Sequence, residues 1–242
     1  MPDVVRALAK LTLSLRVTGR RRDGYHLIDA EMVTIDLADT LELGPGHGLE
    51  IVDERAPAAA AEGPDLLALG DGNLISRALV AVQRQAHVRL VKRIPVGAGL
   101  GGGSADAAAV LRWAGADDLA LAARLGADVP FCLVGGRARV TGAGEVVEPL
   151  DPRPQTFTVL SPPLHVPTLE VYRAWDELGG PAGAGPNDLE PAALAVEPRL
   201  ARWRDRLADA TGRVPALAGS GGTWFVEGAF PAAGVVVQTA QP

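Results

Sequence analysis

Residues 95–106 read Pro-Val-Gly-Ala-Gly-Leu-Gly-Gly-Gly-Ser-Ala-Asp, and five of the seven positions from 97 to 103 are glycine. The flanking patterns predict a strand over 88–94 and an alanine-rich helix that begins at Ser104. Backbone amides of glycine can approach a ligand closely because no Cβ stands in the way. The start of the following helix adds unpaired N–H groups and the positive end of the helix dipole. The stretch therefore predicts a loop that binds phosphate, since a simple turn capped by Ser104 would need only one or two glycines.

This glycine loop fits none of the three common phosphate-binding motifs in full. A Walker A loop places a lysine before the final serine, where this chain has Gly103. The spacing of Gly97, Gly99 and Gly102 fits a dinucleotide-binding loop, but that fold needs a strand ending in an acidic residue about 20 residues later. The sequence predicts a helix over 117–125 instead. A protein kinase would carry HRD and DFG segments, and the chain has neither.

The composition excludes several classes of protein. The chain has 242 residues, of which 48% are hydrophobic and 21% charged, with a net charge of -6. The acidic balance argues against a nucleic-acid partner, no apolar run approaches the ~20 residues of a membrane helix, and residues 1–10 have no signal-peptide core. The single cysteine, Cys132, cannot form an internal disulfide, and the four histidines are scattered. We expect a cytoplasmic protein without a resident metal or a membrane partner.

The predicted elements form an α+β pattern. Apolar and polar residues alternate over 7–17, which predicts a half-buried strand with Lys10 and Thr12 on its polar face. Further strands are predicted over 32–37 continuing to 41–43, 49–52, 137–141, 146–150, 155–160, 214–218, 223–227 and 234–239, and further helices over 73–86, 168–178 and 198–210. Residues 44–72 are predicted to be a variable excursion around the strand at 49–52. Pro152 and Pro154 interrupt the pattern, so we expect an N-terminal domain over 1–152 and a C-terminal domain over 153–242.

Several blocks of the sequence resemble the GHMP kinase superfamily and occur in the order of that family. They are Ala9-Lys10-Leu11, Arg22-Asp23-Gly24-Tyr25-His26, Asp39-Thr40-Leu41, Gly72-Asn73-Leu74-Ile75, the glycine loop, Leu125-Gly126-Ala127-Asp128-Val129-Pro130-Phe131, Asn187-Asp188-Leu189-Glu190 and Ala218-Gly219-Ser220-Gly221-Gly222-Thr223-Trp224-Phe225. Within the superfamily, the pattern resembles the members that phosphorylate 4-diphosphocytidyl-2-C-methyl-D-erythritol. The resemblance implies a two-domain α+β architecture with the active site in the cleft between the domains.

The resemblance implies ATP-dependent phosphorylation of the tertiary 2-hydroxyl of this cytidine diphosphate-linked sugar alcohol, in the non-mevalonate isoprenoid route. It assigns catalysis to Lys10 and Asp128, and Mg²⁺ would arrive with ATP. The chemistry agrees, because phosphoryl transfer depends on positioning and on stabilising spread negative charge. Asp128 would accept the hydroxyl proton, while Lys10 would keep Asp128 ionised and neutralise charge near the transferred group. Taken alone, Asp128 could instead form an Asx turn, and Lys10 could be an exposed strand residue.

The resemblance also implies which residues touch the ligands. The ATP phosphates would lie on the glycine loop, with the adenine beside Asn73 and Lys92. The predicted ATP-binding residues are Asn73, Lys92, Pro95, Val96, Gly97, Ala98, Gly99, Leu100, Gly101, Gly102, Gly103 and Ser104. Flat aromatic rings suit a cytosine base, so Tyr25 and Tyr172 would sandwich it while His26 reads its polar edge. The predicted substrate-binding residues are Thr12, Tyr25, His26, Thr168, Tyr172, Gly219 and Ser220.

Three departures from the family pattern leave alternatives open. Thr12 stands where the family usually has asparagine, Ala105 replaces a serine that could touch magnesium or phosphate, and the segment 114–124 is short. One alternative is another small-molecule GHMP kinase whose substrate lacks cytidine, although the two tyrosines argue against it. The other is a catalytically weak homologue that binds nucleotide and regulates a partner, although the presence of both Lys10 and Asp128 argues against it.

Overall fold

Two β-sheets with helices packed against them make up residues 1–55 and 72–242, which are the residues that the computed structural model describes. The strands are β1 (Asp3–Arg20), β2 (His26–Gly44), β3 (Gly48–Asp53), β4 (His87–Lys92), β5 (Arg137–Gly142), β6 (Val146–Pro149), β7 (Thr156–Leu160), β8 (Ala216–Leu217), β9 (Trp224–Glu227) and β10 (Val235–Gln238). The helices are α1 (Leu74–Ala81), α2 (Gly102–Trp113), α3 (Leu119–Leu125), α4 (Val129–Val134), α5 (Thr168–Glu177), α6 (Glu190–Val196) and α7 (Leu200–Thr211). The α+β prediction is confirmed.

The first sheet has the order β3-β4-β2-β5-β6, and β1 pairs with β2 along most of its length. β3 and β4 run parallel, whereas the other neighbours in this sheet are antiparallel. The register of β1 against β2 shifts between Leu8 and Lys10. An irregularity of this kind bends a strand and re-aims its side chains. Lys10, the residue to which the family resemblance assigns catalysis, therefore lies at a bend in β1.

The second sheet is antiparallel and has the order β10-β7-β9-β8. β6 ends at Pro149 and β7 begins at Thr156, so the predicted boundary at 152/153 falls in the connection between the sheets. That the two halves are separate domains stays a prediction. The backbone amide of Gln238 donates to Asp36 Oδ1 over 2.9 Å, which ties the last strand of the second sheet to β2.

The prediction of a half-buried strand is wrong over residues 7–12, which are all buried. Lys10 is only 5% exposed and Thr12 only 1%, so both faces of β1 are covered there. The cause is the glycine loop, whose Leu100 carbonyl accepts a hydrogen bond of 3.0 Å from the Lys10 amide. Further along β1 the predicted alternation holds, with Leu15 buried and Arg16 exposed.

Two helices have ends that differ from the prediction. α1 ends at Ala81, short of residue 86, because the chain turns at Gln83, whose φ of 53° lies in the left-handed region. α2 begins at Gly102, two residues before Ser104. Its N-cap is Gly101, which has a φ of 70° and no side chain. The last glycines of the loop therefore already belong to the helix, and Ser104 is not its cap.

The sequence prediction missed the two short helices α4 and α6. The side chains of Phe131, Cys132 and Leu133 in α4 are all buried, so no polar face produces a helical period. Both helices carry a proline in the first turn, Pro130 in α4 and Pro191 in α6. Proline is favourable at that position, but in a sequence it suggests a loop. The predicted strand within 44–72 is confirmed as β3, and most of the remaining excursion lies outside the described residues.

Helix α2 lies in the centre of the first half. Ala105, Ala107, Ala108 and Ala109 are fully buried, because small side chains let α2 pack closely between β1 and α1. This packing fixes the position of the helix start, where the glycine loop ends. None of the helices in the described ranges combines the length and the apolar composition that crossing a bilayer demands.

Candidate active site

The glycine loop borders a cavity of about 370 Å³. Gly97, Gly99 and Gly101 have φ values of 70°, 81° and 70°, a region that other residues rarely adopt. Because the N-cap Gly101 offers no side chain, the first-turn amides of α2 are left for an anion. All the predicted ATP-binding residues line this cavity. The geometry suits a nucleotide phosphate chain, and ATP binding by these residues stays a prediction.

Lys92 lies beneath the loop in a buried cluster with two carboxylates. Its Nζ donates to Asp106 Oδ2 over 2.9 Å and also to Asp39, which faces it from β2. The other oxygen of Asp39 accepts the backbone amide of Ile94, just before the loop, over 2.8 Å. Burial raises the pKa of Asp106 to about 7, although the Lys92 ammonium opposes that shift. The charge of Lys92 is therefore balanced by two carboxylates, and the cluster supports the loop. Neither partner was predicted from the sequence.

Asn73 also has a local role. It is the N-cap of α1, and its Oδ1 accepts the backbone amide of Ile75 over 2.9 Å. This cap fixes the start of α1 at the edge of the cavity.

Lys10 and Asp128 form an ion pair at the end of the glycine loop. Lys10 Nζ lies 3.4 Å from Asp128 Oδ2 and donates to Thr12 Oγ1 over 3.0 Å. The side chain of Asp128 is 34% exposed and therefore open to a substrate. A Cβ placed on Gly101 would lie 2.8 Å from Lys10 Cγ, so the loop packs directly against the lysine stem. The buried Thr12 hydroxyl orients Lys10. This hydrogen bond accounts for a hydroxyl at position 12 without a contact to substrate.

The structure contradicts both alternatives considered for these residues, an Asx turn at Asp128 and an exposed strand position for Lys10. Asp128 is the residue before α4, but its side chain accepts no capping hydrogen bond there, so it does not form an Asx turn. Lys10 is buried rather than exposed. Their roles in catalysis stay predictions.

The late glycine turn, residues 219–222, packs backbone to backbone against the glycine loop. A Cβ on Gly221 would lie 2.3 Å from the Gly99 amide nitrogen, and a Cβ on Gly99 would lie 2.5 Å from the Ala218 carbonyl oxygen. Gly219 has a φ of 66°, and a Cβ there would lie 3.4 Å from Lys10 Nζ. The turn thus touches the loop on one side and the catalytic candidate Lys10 on the other.

The late glycine turn also contacts α5. Ser220 Oγ donates to Thr168 Oγ1 over 2.9 Å at the first residue of that helix. One turn later, α5 carries Tyr172. The predicted substrate-binding residues of the second half therefore lie on two segments that touch each other.

Two aromatic side chains contact His26. The Tyr172 ring stacks on the imidazole with 4.7 Å between ring centroids, and Trp175 meets its edge at 5.7 Å. His26 Nε2 lies 2.8 Å from Asp176 Oδ1. Tyr25 is 62% exposed and does not take part in this stack. The structure thus brings His26 and Tyr172 together, and leaves Tyr25 beside them at the surface.

The sequence analysis missed Trp175 and Asp176, although a signal existed. Both lie within one helical turn of Tyr172 on α5, so Tyr172 and Asp176 share a face at i, i+4.

The departures from the family pattern do not disturb this geometry. Ala105 is fully buried in the core, and it is not among the described residues that line the cavity. The short segment 114–124 still forms α3, whose N-cap Asp118 accepts the backbone amides of Ala120 and Leu121.

Known proteins with similar sequences and folds agree on one family. The model described as "GHMP kinases N terminal domain" matches residues 73–136. A relative from Cereibacter sphaeroides (strain ATCC 17025 / ATH 2.4.3), named 4-diphosphocytidyl-2-C-methyl-D-erythritol kinase, is 40% identical over 90% of this chain and 87% of its own length. A crystal structure of 4-(cytidine 5'-diphospho)-2C-methyl-D-erythritol kinase is 33% identical, with a TM-score of 0.72 over 98% of this chain and all of the other. The mevalonate kinase of Methanococcus jannaschii has a TM-score of 0.58 over 100% of this chain and 99% of its own, but at 12% identity it shares only the fold.

Proposed function

We propose a reaction for this chain from the premise that it belongs to the 4-diphosphocytidyl-2-C-methyl-D-erythritol kinases, a family of GHMP kinases. The reaction is ATP-dependent phosphorylation of the tertiary 2-hydroxyl of 4-diphosphocytidyl-2-C-methyl-D-erythritol. It gives the 2-phosphate and ADP, in the non-mevalonate route to isoprenoid precursors. The observation that carries the proposal is the Lys10–Asp128 pair at 3.4 Å, held against the end of the glycine loop.

Asp128 is the proposed general base. Its carboxylate is partly exposed, so it can accept the proton of the 2-hydroxyl as the oxygen bonds to the γ-phosphorus. The bond from that phosphorus to the β-phosphate oxygen breaks, and ADP leaves. The Lys10 ammonium lies beside both the base and the loop, so it balances the charge of the carboxylate and of the transferred group. Thr12 and the glycine loop hold the lysine stem in place for this role.

The glycine loop is the proposed phosphate site. Its backbone and the start of α2 supply amides and a positive dipole, and transfer of this kind depends on such fixed donors. The Lys92 cluster beneath it stiffens the loop, because Asp39 binds both Lys92 and the backbone just before Pro95.

Transfer from ATP implies a magnesium ion that travels with the nucleotide. The described residues contain no group of three or more His, Cys, Asp or Glu side chains arranged for a metal, and Mg²⁺ commonly takes only one or two protein ligands beside phosphate oxygens. Asp106 fits this need, because its Oδ1 is buried beside the cavity with no hydrogen-bond partner among the described residues. Asp106 and the Ser104 hydroxyl would hold the ion, which when bound neutralises charge on the β- and γ-phosphates.

The cluster around His26 is the proposed cytosine site. Tyr172 offers a flat surface of the kind on which a base stacks. Asp176 binds His26 Nε2 and so fixes the orientation of the imidazole. Tyr25, at the surface beside the cluster, would cover the other face of the base. This arrangement favours a substrate with cytidine over the substrates of other GHMP kinases.

The test is ADP release with ATP and a panel of four acceptors: the cytidylated methylerythritol, mevalonate, homoserine and galactose. We expect release with the first acceptor only, and at least about 10²-fold slower release from Asp128→Asn protein purified in the same way, which excludes a contaminating kinase. Release with another acceptor alone would favour a different GHMP kinase. Calorimetric binding of ATP without release on any acceptor would favour the regulatory homologue.

A further inference from the structure

Asn187 is a buried residue that the proposed reaction does not use. It lies just before α6 and is 1% exposed. Its Nδ2 donates to the carbonyl of Leu217 over 2.8 Å and to the carbonyl of Gly219 over 2.7 Å. Its Oδ1 accepts the backbone amide of Leu189 over 2.9 Å. The carboxamide thus grips the chain on both sides of Ala218, at the entrance to the late glycine turn.

The segment that carries Asn187 is attached to β1. The Leu15 amide donates to the Pro186 carbonyl over 2.9 Å, and the Asp188 amide donates to the Leu15 carbonyl over 2.9 Å. β1 is also the strand that carries Lys10. Asn187 therefore joins the strand of the proposed catalytic lysine to the turn that packs beside that lysine.

Only a carboxamide meets the demands of this position. Two backbone carbonyls face it, so it must supply two N–H donors from one short side chain, and it must also accept one amide. Serine supplies a single donor, and an ionised aspartate supplies none. The turn held in this way touches the Gly99 backbone, and a Cβ built on Gly219 would lie 3.4 Å from Lys10 Nζ.

We propose that Asn187 is a positioning residue for phosphoryl transfer, which sets the distance of the late glycine turn from Lys10 and from the glycine loop. The proposal rests on the proposed function, because it gives Asn187 a role in that same reaction. Without the carboxamide, the turn loses the bonds on both sides of Ala218, and the wall that it forms beside Lys10 shifts.

The test compares Asn187→Leu with Asp188→Asn in the full chain. Leucine has the same number and branching of side-chain heavy atoms as asparagine, but it has no hydrogen-bond donors or acceptors. Asp188 is the matched control, because it binds Arg16, Val17 and Gly183 and does not touch the turn. A displacement of about 1 Å near the chemistry can cost about 10²-fold in rate. We expect a fall of that size in kcat for Asn187→Leu, with an unchanged KM for the cytidylated acceptor and a near wild-type kcat for Asp188→Asn.

A merely structural role gives a different pattern. It would lower the melting temperature of Asn187→Leu and leave its kcat per folded molecule unchanged, which would overturn the proposal. If Asn187→Leu does not fold, Asn187→Ala takes its place. If neither variant folds while Asp188→Asn does, Asn187 is a stability residue and the proposal is also overturned.

A second readout does not depend on activity. Hydrogen exchange of the backbone amides in 217–223 is expected to accelerate in the Asn187 variant and not in Asp188→Asn. Unchanged exchange would overturn the positioning proposal even in an active enzyme. A wild-type protein that releases no ADP would overturn the proposed function, and exchange would then still decide whether Asn187 holds the turn.

Discussion

Replacement of Gly221 by alanine would force the two glycine segments apart. The new Cβ would lie 2.3 Å from the amide nitrogen of Gly99 and 2.5 Å from the carbonyl carbon of Ala98, whereas ordinary contact begins at 3.4 Å. Both neighbours are backbone, so either the loop or the turn must move by about 1 Å, and overpacking of this kind costs about 1–3 kcal/mol of stability. The φ of Gly221 is not in the left-handed region, so the whole effect is steric.

A shift of about 1 Å in the loop should lower kcat/KM for ATP by about 10²-fold. Steady-state ADP release measures this, and thermal unfolding measures the loss of stability. Gly222→Ala is the control, because a Cβ there meets Val166 and Leu200 at ordinary distances of 3.4 and 3.5 Å. If Gly221→Ala and Gly222→Ala both had wild-type kcat/KM and melting temperature, the packing of turn on loop would have no part in nucleotide binding.

Three further predictions concern the proposed general base Asp128, the cytosine site and the stability of the fold in acid. Asp128→Asn should still bind ATP by calorimetry but lower kcat by at least about 10²-fold, and an unchanged kcat would remove Asp128 from the mechanism. Tyr172→Ala removes the ring that stacks on His26. Because stacking of a base is worth about 1–3 kcal/mol, KM for the cytidylated acceptor should rise while KM for ATP stays constant. Equal effects on both KM values would contradict the cytosine site. Burial alone would raise the pKa of Asp188, but hydrogen bonds from Arg16 and two backbone amides outweigh it and lower that pKa. The stabilisation is complete above the unfolded carboxyl pKa of about 3.9 and is lost as pH falls through the lower folded pKa. Chemical unfolding between about pH 5 and pH 3 should therefore show that the free energy of unfolding falls less for Asp188→Asn than for wild type. Parallel curves for the two proteins would refute this.

Local sequence patterns were enough to predict the parts of the site that lie in one segment. The glycine loop is such a part, because its glycines are adjacent in the chain and the strand and helix on either side have clear patterns. Lys10 and Asp128 are far apart in the sequence, and only the resemblance to a known family joined them. Their contact at 3.4 Å depends on the packing of α4 near β1, which no local pattern contains.

The parts that were missed depend on tertiary contacts. The resemblance implies that Lys92 lies beside the adenine, but no local pattern reveals that its charge is balanced by Asp39 and Asp106, which come from two other elements. Thr12 was expected on an open strand face, and the late glycine turn that approaches its hydroxyl comes from a distant part of the chain. α4 was missed because burial on all sides removes the polar face that marks a helix.

The close packing of Gly99 against Gly221 has a consequence for biosynthesis. The chain leaves the ribosome from its N-terminus, so the glycine loop emerges well before residues 219–222. Until those residues emerge, the backbone of Gly99 lacks the turn that packs against it. The loop can therefore reach its final packing only late in translation.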